Sequence, residues 1–423
     1  VHLELGIINI KDIRFEDSTR IKEGTLCVNR DELISLILQD IRLSNADVKL
    51  AHPGEKIRIV PVKDVIEPRV KISKTNQLFP GMIGKLATVG SGRTHVARGA
   101  AVITTGRIIG YQEGLIDMAG AAAKYSPFSM TNNVVLVLQP REGISPHEHE
   151  EAIRLAGLRA AVHIGKACQS HDPDDIEIYE LNHSDNNGLP RVAYIYGLLA
   201  EGLLHDTYIY GTNAKKILPT LMHPNEIMDG AIVSGNCVSA CDKHTTYHHM
   251  NNAIIKELYR RHGKELNFLG VIVTNLNVTL ADKERSSDYA SKLAKMIGAD
   301  GVVISKEGFG NPDTDVMMLC KKVEDYGIKT VLLTDEYAGR DGASQSLADT
   351  DLKANAVIST GNANELVTLL PMKYVIGELE SSEVIAGGFV GCLSANGGMQ
   401  VELQGIIGST CQLGFNKLRA REY

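Results

Sequence analysis

The chain reads as an α/β protein overall, with a mainly-β, mixed N-terminal region followed by an α/β region on a mostly parallel sheet. Three observations predict this. Residues 1–110 consist of short apolar runs broken by Gly, Pro and polar turn formers, with a single helical pattern among them. The second half alternates apolar runs of strand length with helical stretches, the pattern of parallel strands covered on both faces. At 423 residues the chain exceeds what one ordinary core holds, so more than one domain is expected.

In chain order, residues 3–10 and 25–29 are predicted as short strands, 31–40 as a helix and 56–65 as a strand. Phe79-Pro80-Gly81 and Gly90-Ser91-Gly92 are turn signals. Residues 133–139 (NVVLVLQ) form a buried strand. A helix then starts at Ser145-Pro146-His147-Glu148, where Ser145 caps, Pro146 suits the first turn and Glu148 completes a capping box. It runs to about residue 166, with Glu150 and Arg154 paired one turn apart. The polar cluster 183–188 reads as a surface loop before a strand at 191–196, and 230–233 is a further strand-like run. Beyond it come a strand at 268–274, a helix at 287–297 ended by Gly298, and a strand at 301–305. A helix at 313–326 follows, with Asp313 as its cap and Gly327 just past its end, then strands at 329–334 and 354–359. Sites in such sheets form in the loops after the strands, here 306–313, 335–342 and 360–364.

Composition narrows the function classes. With 43% hydrophobic and 22% charged residues the chain has the balance of a soluble globular protein. The net charge of −7, with scattered basic residues, gives no reason to expect nucleic acid or an anionic membrane as partner. No apolar run approaches the ~20 residues needed to span a bilayer. Residues 1–6 show no basic stretch leading into an apolar one, so no secretion signal is expected. The seven cysteines are odd in number and scattered, which predicts reduced thiols in a cytoplasmic setting.

Four segments carry possible chemistry. Thr88-Val89-Gly90-Ser91-Gly92-Arg93-Thr94-His95 has glycines and an arginine suited to an anion, but lacks the Lys-Ser/Thr ending of a phosphate loop; a tight turn is the plainer reading. His147-Glu148-His149-Glu150-Glu151 has metal-binding residue types, yet residues two apart on a helix point in different directions. His244, His248 and His249 lie beside Cys237 and Cys241, which leaves a zinc site open, although the spacing matches no compact zinc module. The fourth is Ser234-Gly235-Asn236-Cys237-Val238-Ser239-Ala240-Cys241-Asp242-Lys243, a small-residue turn carrying two thiols at mid-chain. A thiolate there can attack the preceding carbonyl, and elimination from the resulting thioester leaves an α-keto (pyruvoyl) end, an electrophile that other enzymes obtain from an added cofactor. Packed core, a metal pair and self-cleavage all remain open from spacing alone.

The chain resembles the proprotein subunit of component B of the glycine, sarcosine and betaine reductases. The resemblance is carried by DVIEPRV (64–70), TVGSGRTHV (88–96), HEHEEA (147–152), GLLHDTY (202–208), MDGAIVSGNCVSACDK (228–243), LADKERSS (280–287), EGFGNPDTD (307–315), TDEYAGRDGASQSLAD (334–349) and LGFNKL (413–418). It implies cleavage between Asn236 and Cys237, with Cys237 as pyruvoyl precursor and Cys241 as the competing position. The pieces would be 1–236, β-rich at its start, and 237–423, the pyruvoyl-bearing α/β part, and they would stay associated. It further implies a substrate amine held as a Schiff base, C–N cleavage by a selenocysteine-containing subunit, transfer to selenoprotein component A, and acetyl phosphate formed through component C. No metal or nucleotide is expected. Asp242, Lys243 and His244 flank the cut and are candidates for proton transfer in processing; Arg93 and Arg340, in glycine-rich loops, are candidates for the substrate carboxylate. Two alternatives stay open: an uncleaved scaffold for the selenoprotein subunit, and a metal-dependent enzyme using Cys237, His244 and His248.

Overall fold

The computed structural model describes residues 1–72, 77–108, 113–181, 188–202, 207–235 and 244–414. Two six-stranded sheets dominate it. In the first, the strands run in the order Gly114–Asp117, Ile57–Ile66, Ala100–Gly106, Asn132–Pro140, Leu43–Ala51, and Tyr374–Gly377 also pairs with Ile57–Ile66. Every residue of Ile57–Ile66 is buried, as a strand covered on both faces requires. The helix Pro146–Gly165 packs on this sheet, its Ile153, Leu158 and Ile164 in one core with Val134, Leu136 and Val102. Its start is as predicted: Ser145 Oγ accepts from the Glu148 N–H, and the Glu148 carboxylate accepts from the Ser145 N–H. The Glu150–Arg154 pair also forms, at 2.8 Å, but is buried rather than on the surface.

The second sheet runs Thr220–Met222, Asn267–Leu276, Arg191–Leu199, Gly301–Ser305, Lys329–Glu336, Val357–Asn362. All neighbours are parallel except Thr220–Met222, which lies antiparallel at one edge. Helices Leu280–Met296 and Asn311–Asp325 cover one face over Ile195, Ile272, Ile304 and Leu332. The other face, with Tyr194, Tyr196, Phe268 and Val273, packs on Ile254, Ile255 and Leu258 of the helix Ala253–Arg261. Leu3 and Leu5 join the same core from a smaller sheet in the order Asp175–Glu180, His2–Asn9, Gly92–Arg98, Arg69–Lys71.

Two predicted boundaries are corrected. The helix expected at 287–297 begins seven residues earlier as Leu280–Met296, capped by Thr279, whose Oγ1 accepts from the Asp282 N–H. Its first turns hide their inward face from a hydropathy pattern because Lys283 is buried by pairing with Asp315. The helix expected at 313–326 is Asn311–Asp325, and Asp313 does not cap it. The Asp313 carboxylate is drawn instead to Lys306 Nζ at 2.7 Å and to the Ala348 N–H at 2.8 Å. The predicted loop at 183–188 lies, up to residue 187, outside the described residues.

The bond between residues 236 and 237 does not divide the sheets. Arg191–Leu199 comes before it yet sits between Asn267–Leu276 and Gly301–Ser305, which come after it. Tyr374–Gly377 crosses in the other direction, pairing Tyr374 with Ile57 and Gly377 with Val60. Gly377 is required there: its φ is 103°, and a Cβ would meet the Val60 carbonyl oxygen at 2.0 Å.

Candidate active site

Residues 236–243 lie outside the described residues, so the site is built from their anchors. Ile232–Ser234 pairs antiparallel with Thr207–Ile209, matching Ser234 to Thr207. The Ser234 N–H donates to Thr246 Oγ1 at 3.1 Å, and Thr246 gives its N–H and O–H to the buried Asp64 carboxylate at 2.9 and 2.7 Å. Ser234 and Thr246, on either side of the segment, are thus held together. Thr246 opens a short helix, Thr246–Met250, that turns His248 and His249 into the interior.

Glu307 closes the arrangement. The strand Gly301–Ser305 ends beside Arg191–Leu199, and the Glu307 N–H donates to the Gly197 carbonyl at 3.1 Å, which fixes where its side chain starts. Its Oε2 accepts from the Leu199 N–H at 2.8 Å and the Thr207 hydroxyl at 2.7 Å. Its Oε1 accepts from the His244 N–H at 3.0 Å. One fully buried carboxylate therefore ties the end of a central strand to Thr207, the strand partner of Ser234, and to His244. Several donors converging on a buried carboxyl group offset the cost of its burial.

Beside it, the Tyr196 hydroxyl lies 2.7 Å from His249 Nδ1 and 2.9 Å from His244 Nδ1. His244 Nε2 reaches Gln412 Oε1 at 3.0 Å, and Gln412 Nε2 donates to Asp335 Oδ1 at 3.0 Å. Lys306 continues the network to Asp335 and Asp313. Burial pushes His244 down to about 3 and His248 well below the ordinary histidine range, so both are neutral at pH 7. Burial likewise raises the Tyr196 hydroxyl well above its usual value, keeping it protonated.

The sequence-predicted residues distribute unevenly. His244 sits in this network; Asn236, Cys237, Cys241, Asp242 and Lys243 lie outside the described residues. His248 points elsewhere, its Nδ1 2.8 Å from the Thr245 hydroxyl at the helix cap. Among the described residues the one group with metal-like convergence is His244, His249 and Glu307, whose donor atoms lie within 4.8 Å of one another. His244 already uses both ring nitrogens in hydrogen bonds, which suits a hydrogen-bonded network better than a metal. Arg93 is on the strand Gly92–Arg98 and paired with Glu4 at 2.6 Å. Arg340 pairs with Glu402 at 2.8 Å and stacks its guanidinium over Phe389. The Gly90 N–H of the glycine-rich turn donates to Asp229 at 2.7 Å, so an anion of the chain itself occupies that turn. In the 147–151 segment, Glu148 serves the helix cap and Glu150 serves Arg154. The five described cysteines are buried, and no described helix is long and apolar enough to cross a membrane.

Glu307, His249 and Tyr196 were not singled out individually by sequence. The available signals were weak: Glu307 falls in the loop after a predicted strand, and His249 belongs to the histidine cluster next to the thiols.

Comparison with known proteins supplies the family. The chain is 55% identical to "Glycine reductase complex component B subunits alpha and beta" of Peptoclostridium acidaminophilum, with both chains covered in full. It is 53% identical, again over the full length of both, to "Sarcosine reductase complex component B subunit alpha" of the same organism. To that organism's "Betaine reductase complex component B subunit alpha" it is 40% identical over 92% of this chain and 91% of the relative. No solved structure gives a significant match. A family model described as glycine/sarcosine/betaine reductase component B subunits matches residues 1–421, and the chain belongs to that family of reductase components.

Proposed function

We propose that the chain is a self-cleaving proprotein whose Asn236–Cys237 bond breaks to give a pyruvoyl-bearing second subunit acting on a small amino acid. The observation that carries this reading is the anchoring of both ends of the 236–243 segment. Ser234 is held by Thr246, and His244 by Glu307, and all four residues are buried. Holding the two flanks of the segment would lower the chain entropy lost when a thiol within it attacks its own backbone carbonyl. The name of one relative, which assigns two subunits to a single chain, supports the same reading.

The pyruvoyl group would supply an electrophilic carbonyl that binds the substrate amine and withdraws electrons from its C–N bond. The chain's own residues do the rest. Residue 237 would be seven residues from His244, so after cleavage the new end stays within ~25 Å of chain length of that network. Tyr196, His244, His249 and Glu307 would exclude bulk water and hold protons there. Arg93 and Arg340 remain the proposed carboxylate ligands; their partners Glu4 and Glu402 would have to be exchanged for substrate. The nucleophile at the α-carbon would come from a selenocysteine subunit, with component A and component C downstream and acetyl phosphate as the end product, in the cytoplasm. Glycine and sarcosine both carry an N–H or lone pair for the required bond; the 55% and 53% identities favour neither.

The test is chemical. Denatured protein from an active preparation should separate into two chains, the smaller blocked to stepwise sequencing and labelled by phenylhydrazine. A single unlabelled chain in an active preparation contradicts the proposal and favours the uncleaved scaffold. A metal-dependent reading, now centred on His244, His249 and Glu307, predicts activity lost on chelation.

A further inference from the structure

Arg98 closes the strand Gly92–Arg98 with its Nε on Glu67 Oε1 and its Nη1 on Glu177 Oε1, each at 3.2 Å. Its Nη2 is buried and, among the described residues, meets no acceptor. Lys256, on the helix Ala253–Arg261, donates to Asn251 Oδ1 at 3.0 Å and forms no ion pair with a described carboxylate. Asn251 Nδ2 donates in turn to Glu67 Oε2 at 3.0 Å, so two hydrogen bonds lead from Lys256 to the carboxylate that Arg98 holds. Arg69, from the strand Arg69–Lys71, binds the same Oε2 at 2.6 Å. The charges facing Lys256 are Arg98, Arg69, Glu67 and Glu177, so with Lys256 itself three cations meet two carboxylates. Burial, and then the Arg98 charge, lower the Lys256 amine to about 8, which leaves it mostly protonated at pH 7. A buried N–H without an acceptor is costly, and both Arg98 Nη2 and Lys256 have donors left over.

We propose that Arg98 and Lys256 form a subsite for a small carboxylate. Charge and donors select the class. One negative charge balances the cluster, whereas a phosphate dianion would leave an excess of negative charge beside Glu67 and Glu177. The two oxygens of a carboxylate match one guanidinium nitrogen and one ammonium, through charge-assisted hydrogen bonds. The side chains of Arg98 and Glu177 are 29% and 28% exposed, so the cluster is reached from the surface. Asn251 caps the end of Thr246–Met250 opposite to Thr246, which sets this subsite apart from the Glu307 network. It goes beyond the reading of the 236–237 bond and does not depend on it.

The experiment uses the full chain labelled with 13C at the lysine ε-carbons, the Lys256 signal being assigned by its loss in Lys256→Gln. The probe is sodium acetate, compared with sodium chloride at equal ionic strength. In chloride the signal should titrate near pH 8. Acetate held on the protonated amine should raise the midpoint by about one pH unit or more, which is a tenfold or greater preference for the charged form. By the same linkage, acetate affinity should fall as pH rises through 8. Lys256→Gln, checked for an intact thermal transition, should bind acetate about tenfold more weakly or worse, and Lys256→Arg should restore binding. The same midpoint in both salts overturns the inference, as does undiminished acetate binding by folded Lys256→Gln. A midpoint near the ordinary lysine value of about 10.4 in chloride also overturns it, because the amine would then stand in water. Inorganic phosphate raising the midpoint further than acetate overturns the carboxylate class.

Discussion

The two large sheets relate to the 236–237 bond in opposite ways. The first takes one strand from beyond it, Tyr374–Gly377, joined along part of Ile57–Ile66. The second takes its central strand, Arg191–Leu199, from before it. An added strand can be lost while its host sheet keeps its other ladders. A central strand cannot, because both neighbours lose their partner and two buried faces open to water. A cut at 236/237 would therefore leave two interlocked pieces, the second more dependent on the first than the first on it. Self-cleavage in this fold need not release anything.

The largest expected effect follows directly. Residues 237–423 expressed alone should show no cooperative thermal unfolding, whereas 1–236 alone should retain part of its β signal by circular dichroism. A cooperative transition in the isolated second piece would break the comparison. Next, Ile195→Asp should abolish the transition of the whole chain, since Ile195 is fully buried between Ile272 and Ile304 and its replacement is an unpaired buried charge. Arg58→Ala comes third, at about 3–5 kcal/mol by denaturant titration, because it strands the buried Asp117. Arg58 also donates to the Leu370 and Gly397 carbonyls, so its loss should loosen the contact between the two pieces. Gly377→Ala should cost less, about 1–3 kcal/mol, by straining the added strand against Val60.

The smallest effect concerns pH. Burial raises Glu201 to about 7 and Asp315 to about 6, and the two share Lys283. A carboxyl whose folded pKa is raised stabilises the fold most below its unfolded pKa, near 4. That contribution is lost as pH rises through the folded value. Stability should thus fall between about pH 4 and 7, and Glu201→Gln should flatten the fall. Unchanged slopes in the variant would remove Glu201 from the account.

What the sequence made legible follows from what is local. The helix at 146–165 carried its cap box in four consecutive residues, and the parallel strands announced themselves as apolar runs. Strands such as Arg20–Lys22 and Arg69–Lys71 did not, because three residues hold no pattern and pairing alone makes them strands. The start of Leu280–Met296 was missed because a lysine faces inward there, neutralised by a carboxylate from another helix. Asp313 differs from the expected cap because Lys306, in the loop leading into the helix, and the Ala348 N–H take its carboxylate. The site divides the same way. Cys237 and the histidines were conspicuous as a cluster, while Glu307 acquires its role only when residues 199, 207 and 244 are brought together. The interleaving of the two halves is a property of strand order, which no local pattern reports.

The most direct test of the account is one sample of wild-type protein weighed twice. Under native conditions it should fly as a single particle close to the chain's 45.9 kDa, and after denaturation as two chains parted between residues 236 and 237. A single chain after denaturation of an active sample, or two particles that separate without denaturant, would contradict it.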